Sequence, residues 1–421
     1  MFGDVHRYGR RRVWLSQPLP SLRLSLTILG LMPPLQLRSL PILMLAISAV
    51  ARPMPPQPTP AHPRDTTLVL RGGSWLDARA GVTRPNGAIV VTAGRIAAVY
   101  PSGAGWQPPP DAQVVDLQGK TIVPGLIDAH VHLTLASDPD SAALATLRAG
   151  FTTVVDLGSA DGAGVRLRDA IAQGHVPGPR VIAAGSWIGA KNGVCEFGGA
   201  TVNGAAEAGV RARADLDAGA DLIKVCVTGW PKDAVAFPDS VELKAAALDA
   251  VVKVASGRKR MVFAHAIGQA GALLAASHGV TALAHTPVVD SAAAVALRRS
   301  GVRVISTLAS LGPRPGGPEV VASFQRLRAA GVPIVMGTDA GVLPHGQNAR
   351  ELAALTKAGL TPAEALRAAT VDAARLLHRG ELGEIRVGAV GDFVVVAADP
   401  LQDITVLQRP EMVVQAGRIV R

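Results

Sequence analysis

The chain has 421 residues, which is enough for one large α/β barrel and a smaller second domain. Its 48% hydrophobic content, with 45 glycines and 31 prolines, excludes a disordered chain and is typical of a globular α/β protein with many tight turns. The formal net charge of +10 does not indicate a nucleic-acid partner, because six arginines and one acid fall in residues 1–51 and the rest of the chain has no concentrated basic stripe.

Residues 1–63 are predicted to be a leader and a proline-rich linker rather than part of the fold. The apolar run Pro41–Ala51 follows Arg38 and ends in Ala-Val-Ala, a pattern typical of a signal peptide with a small-residue cleavage site. We therefore expect an exported protein, periplasmic or secreted, cleaved near Ala51; the alternative is an uncleaved N-terminus on a cytoplasmic protein. The run is too short to span a bilayer, so no stable membrane span is expected.

Strand patterns at both ends of the chain flank a long segment of alternating strands and helices. Residues 64–125 and 380–421 contain short β-patterned runs separated by tight turns. In residues 126–379, apolar runs alternate with alanine-rich helical stretches such as Pro362–Leu377, which has Thr361 as its N-cap. About eight such units predict a (β/α)8 TIM-like barrel, and the two ends are predicted to pair as a small β-sandwich domain, so the fold class is α/β.

The first barrel strand is predicted to end in two histidines, His130 and His132. Side chains two residues apart in a strand point to the same side, so both imidazoles can reach one metal ion. Four more residues of ligand type lie in or just after later apolar runs: Lys224, His265, His285 and Asp339. Each alone has an ordinary structural explanation, but all six would meet at the carboxyl ends of the barrel strands, and together they predict a metal site.

Lys224 lies inside the apolar run 221–227, where a bare ammonium would be costly to bury. A lysine there is expected to be deprotonated, or to be converted by CO₂ into a carbamate, an anion that can bridge two divalent ions. The alternative is a snorkelling or ion-paired lysine. Cys226 follows two residues later and Cys195 lies in a glycine-rich loop; both are expected to be free thiols, with a disulfide between them as the alternative.

Characteristic motifs occur in eight segments around these positions: Val123–Leu133, Gly150–Gly158, Gly178–Arg180, Ile223–Val225, Ala264–Ala266, Ala284–Thr286, Gly337–Gly341 and Glu364–Thr370. Together they resemble the metal-dependent amidohydrolase superfamily over residues 66–421. Within it, the chain is most similar to the imidazolonepropionase-like and Xaa-Pro dipeptidase-like hydrolases. Members of this group often carry a Gly-Gly-His element where Glu196–Thr201 stands here, so a substrate-facing histidine is absent from this chain.

The resemblance implies an enzyme with two divalent metal ions, expected to be zinc, with manganese, cobalt or iron as alternatives. His130, His132 and Asp339 would hold the more buried ion. His265 and His285 would hold the second. Two ions lower the pKa of a shared water molecule, so that hydroxide is available near neutral pH.

The resemblance also implies catalytic roles for two of these residues. Lys224, carboxylated, would bridge the two ions together with the hydroxide, and Asp339 would take the proton during attack and deliver it to the leaving nitrogen. The predicted reaction is hydrolysis of a C–N bond in a dipeptide, either Xaa-Pro or with a C-terminal basic residue, or in an N-acyl amino acid. Gly229, in the loop after the Lys224 strand, and His345, in the loop after Asp339, are the candidate substrate contacts.

Other functions are compatible with parts of this pattern. A cyclic amide is an alternative substrate for the same centre. An imidazolone hydrolase or a mononuclear deaminase uses the histidine pair, another histidine and the aspartate, but lacks the strand lysine that Lys224 provides. A non-catalytic binding protein on the same scaffold would have lost ligands, and none of the six is missing. The expected partner is a small-molecule substrate, and exposed alanine-rich barrel helices would permit a homo-oligomer.

Overall fold

The structure, a computed structural model, describes residues 67–421 except 231, 232, 234, 235, 238 and 315. The predicted leader and linker, residues 1–63, therefore lie outside the described residues. Within the described range, no helix is long and apolar enough to cross a membrane.

Strands dominate both ends of the described chain, and helices alternate with strands between them. The strands, in chain order, are β1 Leu68–Arg71, β2 Ser74–Asp77, β3 Val82–Thr92, β4 Arg95–Pro101, β5 Gln113–Asp116, β6 Thr121–Pro124, β7 Leu126–Val131, β8 Phe151–Asp156, β9 Arg180–Ala190, β10 Thr201–Val202, β11 Leu222–Cys226, β12 Val262–His265, β13 Ala282–Ala284, β14 Arg303–Ile305, β15 Ile334–Val335, β16 Phe393–Val396, β17 Met412–Gln415 and β18 Arg418–Ile419. The described α-helices are Pro139–Arg148, Ala163–Ala172, Ala205–Asp217, Ala245–Gly257, Gln269–Ser277, Ser291–Ser300, Leu308–Leu311, Gly317–Ala329, Arg350–Lys357, Pro362–Ala368 and Val371–Leu376.

The central strands form a nearly closed parallel barrel. Its eight strands pair in the order β7, β8, β9, β11, β12, β13, β14 and β15. On the closing side, Ala129 N donates to Met336 O (3.1 Å) and His132 N donates to Ala340 O (2.6 Å). The helices cover the outside of the barrel with their apolar faces. This architecture confirms the predicted (β/α)8 TIM-like barrel.

A second, mixed sheet is built from both ends of the described chain. Its strands run in the order β18, β17, β16, β6, β2, β3, β1 and β5, with β4 added to β3. The long strand β3 pairs in both halves of this sheet, and its pairing register with β4 shifts at Gly87, where a Cβ atom would lie only 2.1 Å from the Pro101 carbonyl oxygen. The two halves share one buried core: Leu68, Leu70, Ile89, Ile96, Ile122, Phe393, Val395 and Val414. The predicted β domain from both chain ends is thereby confirmed.

The segment predicted as one helix, Pro362–Leu377, is broken after Ala368. Its start is as predicted, because the Thr361 side chain caps the first turn. At the break, the Ala368 carbonyl accepts a hydrogen bond from Met336 N (3.1 Å), next to β15, instead of one from the following helical turn. The barrel backbone therefore competes with the helix for this carbonyl, which the local sequence pattern does not reveal.

Candidate metal centre

All six predicted ligands lie at the carboxyl-terminal end of the barrel. His130 lies in β7 and His132 directly follows it, Lys224 lies in β11, and His265 ends β12. His285 directly follows β13, and Asp339 follows β15. Each is buried, with at most 6% of its surface exposed. Polar side chains buried to this degree cost free energy unless they are hydrogen-bonded, paired or bound to an ion.

His130, His132 and Asp339 point at one spot. His130 Nε2 lies 3.2 Å from His132 Nε2, and Asp339 Oδ1 lies 3.4 Å and 3.3 Å from these two nitrogens. Ligand atoms at tetrahedral angles around an ion, with bonds of about 2.0–2.1 Å, are about 3.3 Å apart. Burial holds the pKa of His130 well below its usual value, so its imidazole is in the neutral form that binds metals. This triad therefore fits a divalent ion.

His265 and His285 lie beside the triad. The ring centroid of His285 is 4.7 Å from that of His130 and 4.6 Å from that of His265. His285 Nδ1 is 3.0 Å from Thr307 Oγ1, and His265 Nε2 is 3.2 Å from the Gly229 carbonyl oxygen. These contacts leave His285 Nε2 and His265 Nδ1 for an ion. Burial lowers the pKa of His265 to about 4, which keeps that ring neutral as well.

Lys224 occupies the same buried region without an ion-pair partner among the described residues. Asp339 Oδ1 instead faces Nε2 of His130 and Nε2 of His132, at 3.4 Å and 3.3 Å. Burial lowers the pKa of Lys224 to about 7, against the opposing effect of the Asp339 charge. Near neutral pH, a large fraction of this side chain is therefore the neutral amine, which is the form that reacts with CO₂.

Asp128 ties the strand that carries the histidine pair to the segment that carries Asp339. Its carboxylate accepts hydrogen bonds from the Thr338 backbone (3.0 Å) and hydroxyl (2.6 Å), from Asn348 Nδ2 (2.8 Å) and from His130 N (3.1 Å). Burial raises the pKa of Asp128 to about 6, and these bonds oppose the rise. They also hold Asp339 at a φ of +59°, a strained conformation for a residue other than glycine. Asp128 was not among the predicted site residues, although strand alternation places it on the same face as the histidine pair.

Glu351 supports His285 from outside the centre. It is fully buried and accepts hydrogen bonds of 2.5 to 2.9 Å from Ser306 Oγ and from two backbone N–H groups of the following helical turn. This turn contains Thr307, whose hydroxyl contacts His285. No feature of the sequence indicated Glu351, because its partners lie more than 40 residues away along the chain.

The two predicted substrate contacts lie at the edge of the centre. His345 Nδ1 is 3.0 Å from Thr146 Oγ1, and His345 Nε2 is 3.3 Å from the His132 carbonyl oxygen. The Gly229 carbonyl oxygen faces the His265 ring. Both residues are thus engaged with protein atoms next to candidate ligands, and contact with substrate stays a prediction for each.

Cys195 and Cys226 form a disulfide, with their Cα atoms 6.2 Å apart. The expectation of two free thiols is therefore wrong. After β9 the chain turns back, and β10 pairs with the end of β9, which brings the Cys195 loop over the end of β11. The bridge packs against Trp187, whose ring centroid lies 5.6 Å from that of His132, so this covalent link borders the candidate centre.

Residues 121–420 match the amidohydrolase family. This segment is well over half of the chain and contains all six candidate ligands. The chain belongs to the amidohydrolase family. Members of this family generally use a divalent metal ion, and the triad of His130, His132 and Asp339 fits such an ion.

This amidohydrolase is similar to three kinds of C–N hydrolase. It is 27% identical over 356 residues to the ochratoxinase of Aspergillus niger, covering 69% of this chain and 73% of that protein. It is 38% identical over 131 residues to the imidazolonepropionase of Anaeromyxobacter sp. (strain K), covering 30% of each. The crystal structure of a Xaa-Pro dipeptidase superposes on it with a TM-score of 0.77 at 27% identity, covering 84% of this chain and 99% of that one.

These similarities confirm the predicted resemblance to imidazolonepropionase-like and Xaa-Pro dipeptidase-like hydrolases. The amidohydrolase is a hydrolase acting on carbon–nitrogen bonds.

Proposed function

We propose that this amidohydrolase cleaves the amide bond of a dipeptide or an N-acyl amino acid at a centre of two divalent ions, expected to be zinc, bridged by carboxylated Lys224. The proposal is carried by the convergence of six buried ligand-type residues at one end of the barrel. Within this set, the triad atoms lie 3.2 to 3.4 Å apart. The similarity to a Xaa-Pro dipeptidase structure supports a peptide-like substrate.

The residues divide into two ligand groups. His130, His132 and Asp339 would hold one ion, and His265 and His285 would hold the other. When bound, two divalent ions would polarise the scissile carbonyl and lower the pKa of a shared water molecule.

Asp339 is the residue placed to move the proton. Its Oδ1 faces the two histidine nitrogens, whereas Oδ2 has no hydrogen-bond partner among the described residues. Oδ2 can therefore accept the proton of the attacking water and then deliver it to the leaving nitrogen. The hydrogen bonds that Asp128 makes to Thr338 hold this carboxylate in place during both transfers.

Carboxylation would remove the unfavourable positive charge of Lys224 from the metal centre. An ammonium group beside two divalent cations would be repelled by them and would lack a counter-ion among the described residues. A carbamate at Lys224 would reverse the sign of the charge, and its oxygens would be suitable ligands for divalent ions. The side chain would then neutralise part of the positive charge that a binuclear centre brings into the barrel.

The proposal is tested by metal analysis together with a substrate screen. Protein purified without chelators is expected to contain about two zinc ions per chain by elemental mass spectrometry, as a binuclear site requires. A screen of dipeptides, N-acyl amino acids, cyclic imides and imidazolones should show turnover of the first two classes. One ion per chain with unmodified Lys224 contradicts the binuclear centre, and turnover confined to cyclic imides or imidazolones contradicts the proposed substrate class.

A further inference from the structure

Arg314 presents an unpaired guanidinium at the mouth of the barrel. It follows β14 on the chain, on the carboxyl-terminal face that carries the candidate ligands. Its Nε donates a hydrogen bond to the Ser310 carbonyl (3.2 Å), which orients the guanidinium plane. In the part of the chain that the structure describes, neither terminal nitrogen has a hydrogen-bond or ion-pair partner. Two parallel N–H donors are thus available, the arrangement that binds a carboxylate in bidentate fashion.

Trp230 connects this guanidinium to the candidate metal centre. The Arg314 guanidinium carbon lies 5.8 Å from the centroid of the Trp230 ring, within cation–π range. The same ring packs edge-on against His265, with centroids 5.3 Å apart and planes at 86°. His265, Trp230 and Arg314 therefore form a continuous row from the centre to the mouth. A ligand group held by Arg314 would lie beside a substrate bound at the centre.

Exposed aromatic side chains lie in the loops at this end of the barrel. Among the described residues, the exposed aromatic side chains are Phe197, Trp230 and Phe237, at 63%, 37% and 66% exposure, all in the loops that follow β9 and β11. The whole chain has only 5 Trp, 2 Tyr and 7 Phe residues, so their concentration at one rim is not a general property of this surface. Exposed aromatic groups around a polar anchor are typical of a site for a ligand with one charged and one apolar part.

We propose that Arg314, stacked on Trp230, binds the free carboxylate that neighbours the scissile amide of the substrate. The apolar acyl group or side chain of the same substrate packs on the aromatic rim of Phe197 and Phe237. The substrate class is accordingly an N-acyl amino acid or dipeptide with a free carboxylate and an apolar group. This inference rests on the proposed amide hydrolysis and adds the group by which the substrate is selected.

The first test uses substrate pairs that differ only in the carboxylate. N-benzoyl-L-phenylalanine is compared with N-benzoyl-2-phenylethylamine, and alanyl-proline with alanyl-pyrrolidide, by release of the free amine. For wild type, kcat/KM is expected to be about 10- to 150-fold higher for the acid of at least one pair, which is the range of a charge-assisted hydrogen bond.

The second test asks whether Arg314 is the residue that binds the carboxylate. Arg314→Gln should lower kcat/KM for the acid by about 10- to 150-fold and leave the carboxylate-free analogue within about 3-fold of wild type. Trp230→Leu should lower kcat/KM for the acid by about 2- to 5-fold, the range of an exposed cation–π contact. Arg299→Gln makes the same charge change at an exposed position in the last turn of the helix Ser291–Ser300, which precedes β14, and its kcat/KM values should equal those of wild type.

The outcomes separate this inference from the proposed function. Wild-type turnover of an acid and its carboxylate-free analogue at equal rates overturns the carboxylate site and leaves amide hydrolysis intact. Equal losses on both members of a pair in Arg314→Gln also overturn it, because a binding residue for the carboxylate must discriminate between them. Failure of wild type to cleave any of the four compounds, with metal bound, counts against the proposed function itself.

Discussion

Lys224 is the single residue on which the binuclear proposal depends most. It is buried in β11 without an ion-pair partner among the described residues. We expect Lys224→Ala to lower kcat/KM by about 100-fold or more, because the bridging anion is lost. Acetate or propionate should restore part of the activity by occupying the vacated space as a carboxylate. Lys253→Ala, at an exposed helix position, is the control. Full activity of Lys224→Ala without added acid would contradict the bridging role.

Asp156 makes the stability of the fold depend on pH. Its two carboxyl oxygens are buried without a hydrogen-bond partner among the described residues, and burial raises its pKa to about 8. Between about pH 4 and about pH 8, the Asp156 carboxyl group is ionised in the unfolded chain but protonated in the folded protein. The free energy of unfolding therefore falls as pH rises, by about 1.4 kcal/mol per pH unit. Asp156→Asn cannot release this proton. We therefore expect the variant to gain stability relative to wild type from pH 5 to pH 8 in urea unfolding.

The matched control for this prediction is Asp140→Asn, which makes the same change at an exposed position. It should retain the wild-type dependence on pH. Parallel curves for Asp156→Asn and wild type would show that the Asp156 carboxyl is already ionised in the folded state.

The positions of single residues in the barrel were predictable where the signal is local, whereas their roles as ligands stay predictions. His130, His132, His265 and His285 each lie at or just after an apolar run, and the barrel brings these strand ends together. Arg314 carries no comparable local signal, and the local pattern at Asp128 gives only the face of the strand on which it lies. Three of the four hydrogen bonds that Asp128 accepts come from residues 210 or 220 positions away along the chain, and Arg314 contacts a tryptophan from a different barrel loop. Only closure of the barrel places such groups side by side.

At the scale of elements, the turn after β14 positions His285 through contacts with the helix Arg350–Lys357. Glu351 of that helix holds the turn by three hydrogen bonds. Glu351→Gln replaces one acceptor oxygen by a donor, which leaves a buried N–H group facing another donor. We expect a loss of about 1–3 kcal/mol in stability and a metal affinity weaker by about 10- to 100-fold, measured by unfolding and by chelator competition.

The partly exposed residue Glu319, which pairs with Arg326, provides the control, since Glu319→Gln changes the same group on the helix Gly317–Ala329. Its metal affinity should equal that of wild type. If Glu351→Gln loses stability but binds metal as wild type does, the turn does not position His285.

Helices and strands were predictable from the sequence wherever their hydrophobic periodicity is uninterrupted. Strand–helix alternation indicated the barrel, and the capped start at Thr361 is as predicted. The interruption after Ala368 and the Cys195–Cys226 bridge were not predictable, because both depend on where another part of the chain passes. The Ala368 carbonyl bonds outside its helix because the backbone next to β15 lies within hydrogen-bond distance. Cys195 and Cys226 are bonded because the loop after β9 returns to the end of β11.

At the scale of the whole molecule, we propose that the protein is exported. The apolar run Pro41–Ala51 has the pattern of a signal peptide. The disulfide supports the proposal, because disulfides persist mainly in oxidising compartments. Protein isolated from its native cells is expected to begin directly after Ala51, as measured by N-terminal sequencing and intact mass. An intact Met1 on that protein would contradict export by this leader.

The sequence by itself determined the barrel, the β domain built from both ends of the chain, and the six candidate ligands. The barrel and the β domain follow from periods of two residues in strands and 3.6 residues in helices, and the candidate ligands follow from residue types in and just after the strands. Only the tertiary structure decided which side chains support these ligands, that the cysteines pair, and that Arg314 stacks on Trp230 near His265. The physical reason is range. Backbone periodicity acts over a few residues, whereas hydrogen bonds, disulfides and cation–π contacts need atoms within a few ångströms, and the closed barrel brings residues far apart in the chain to that distance.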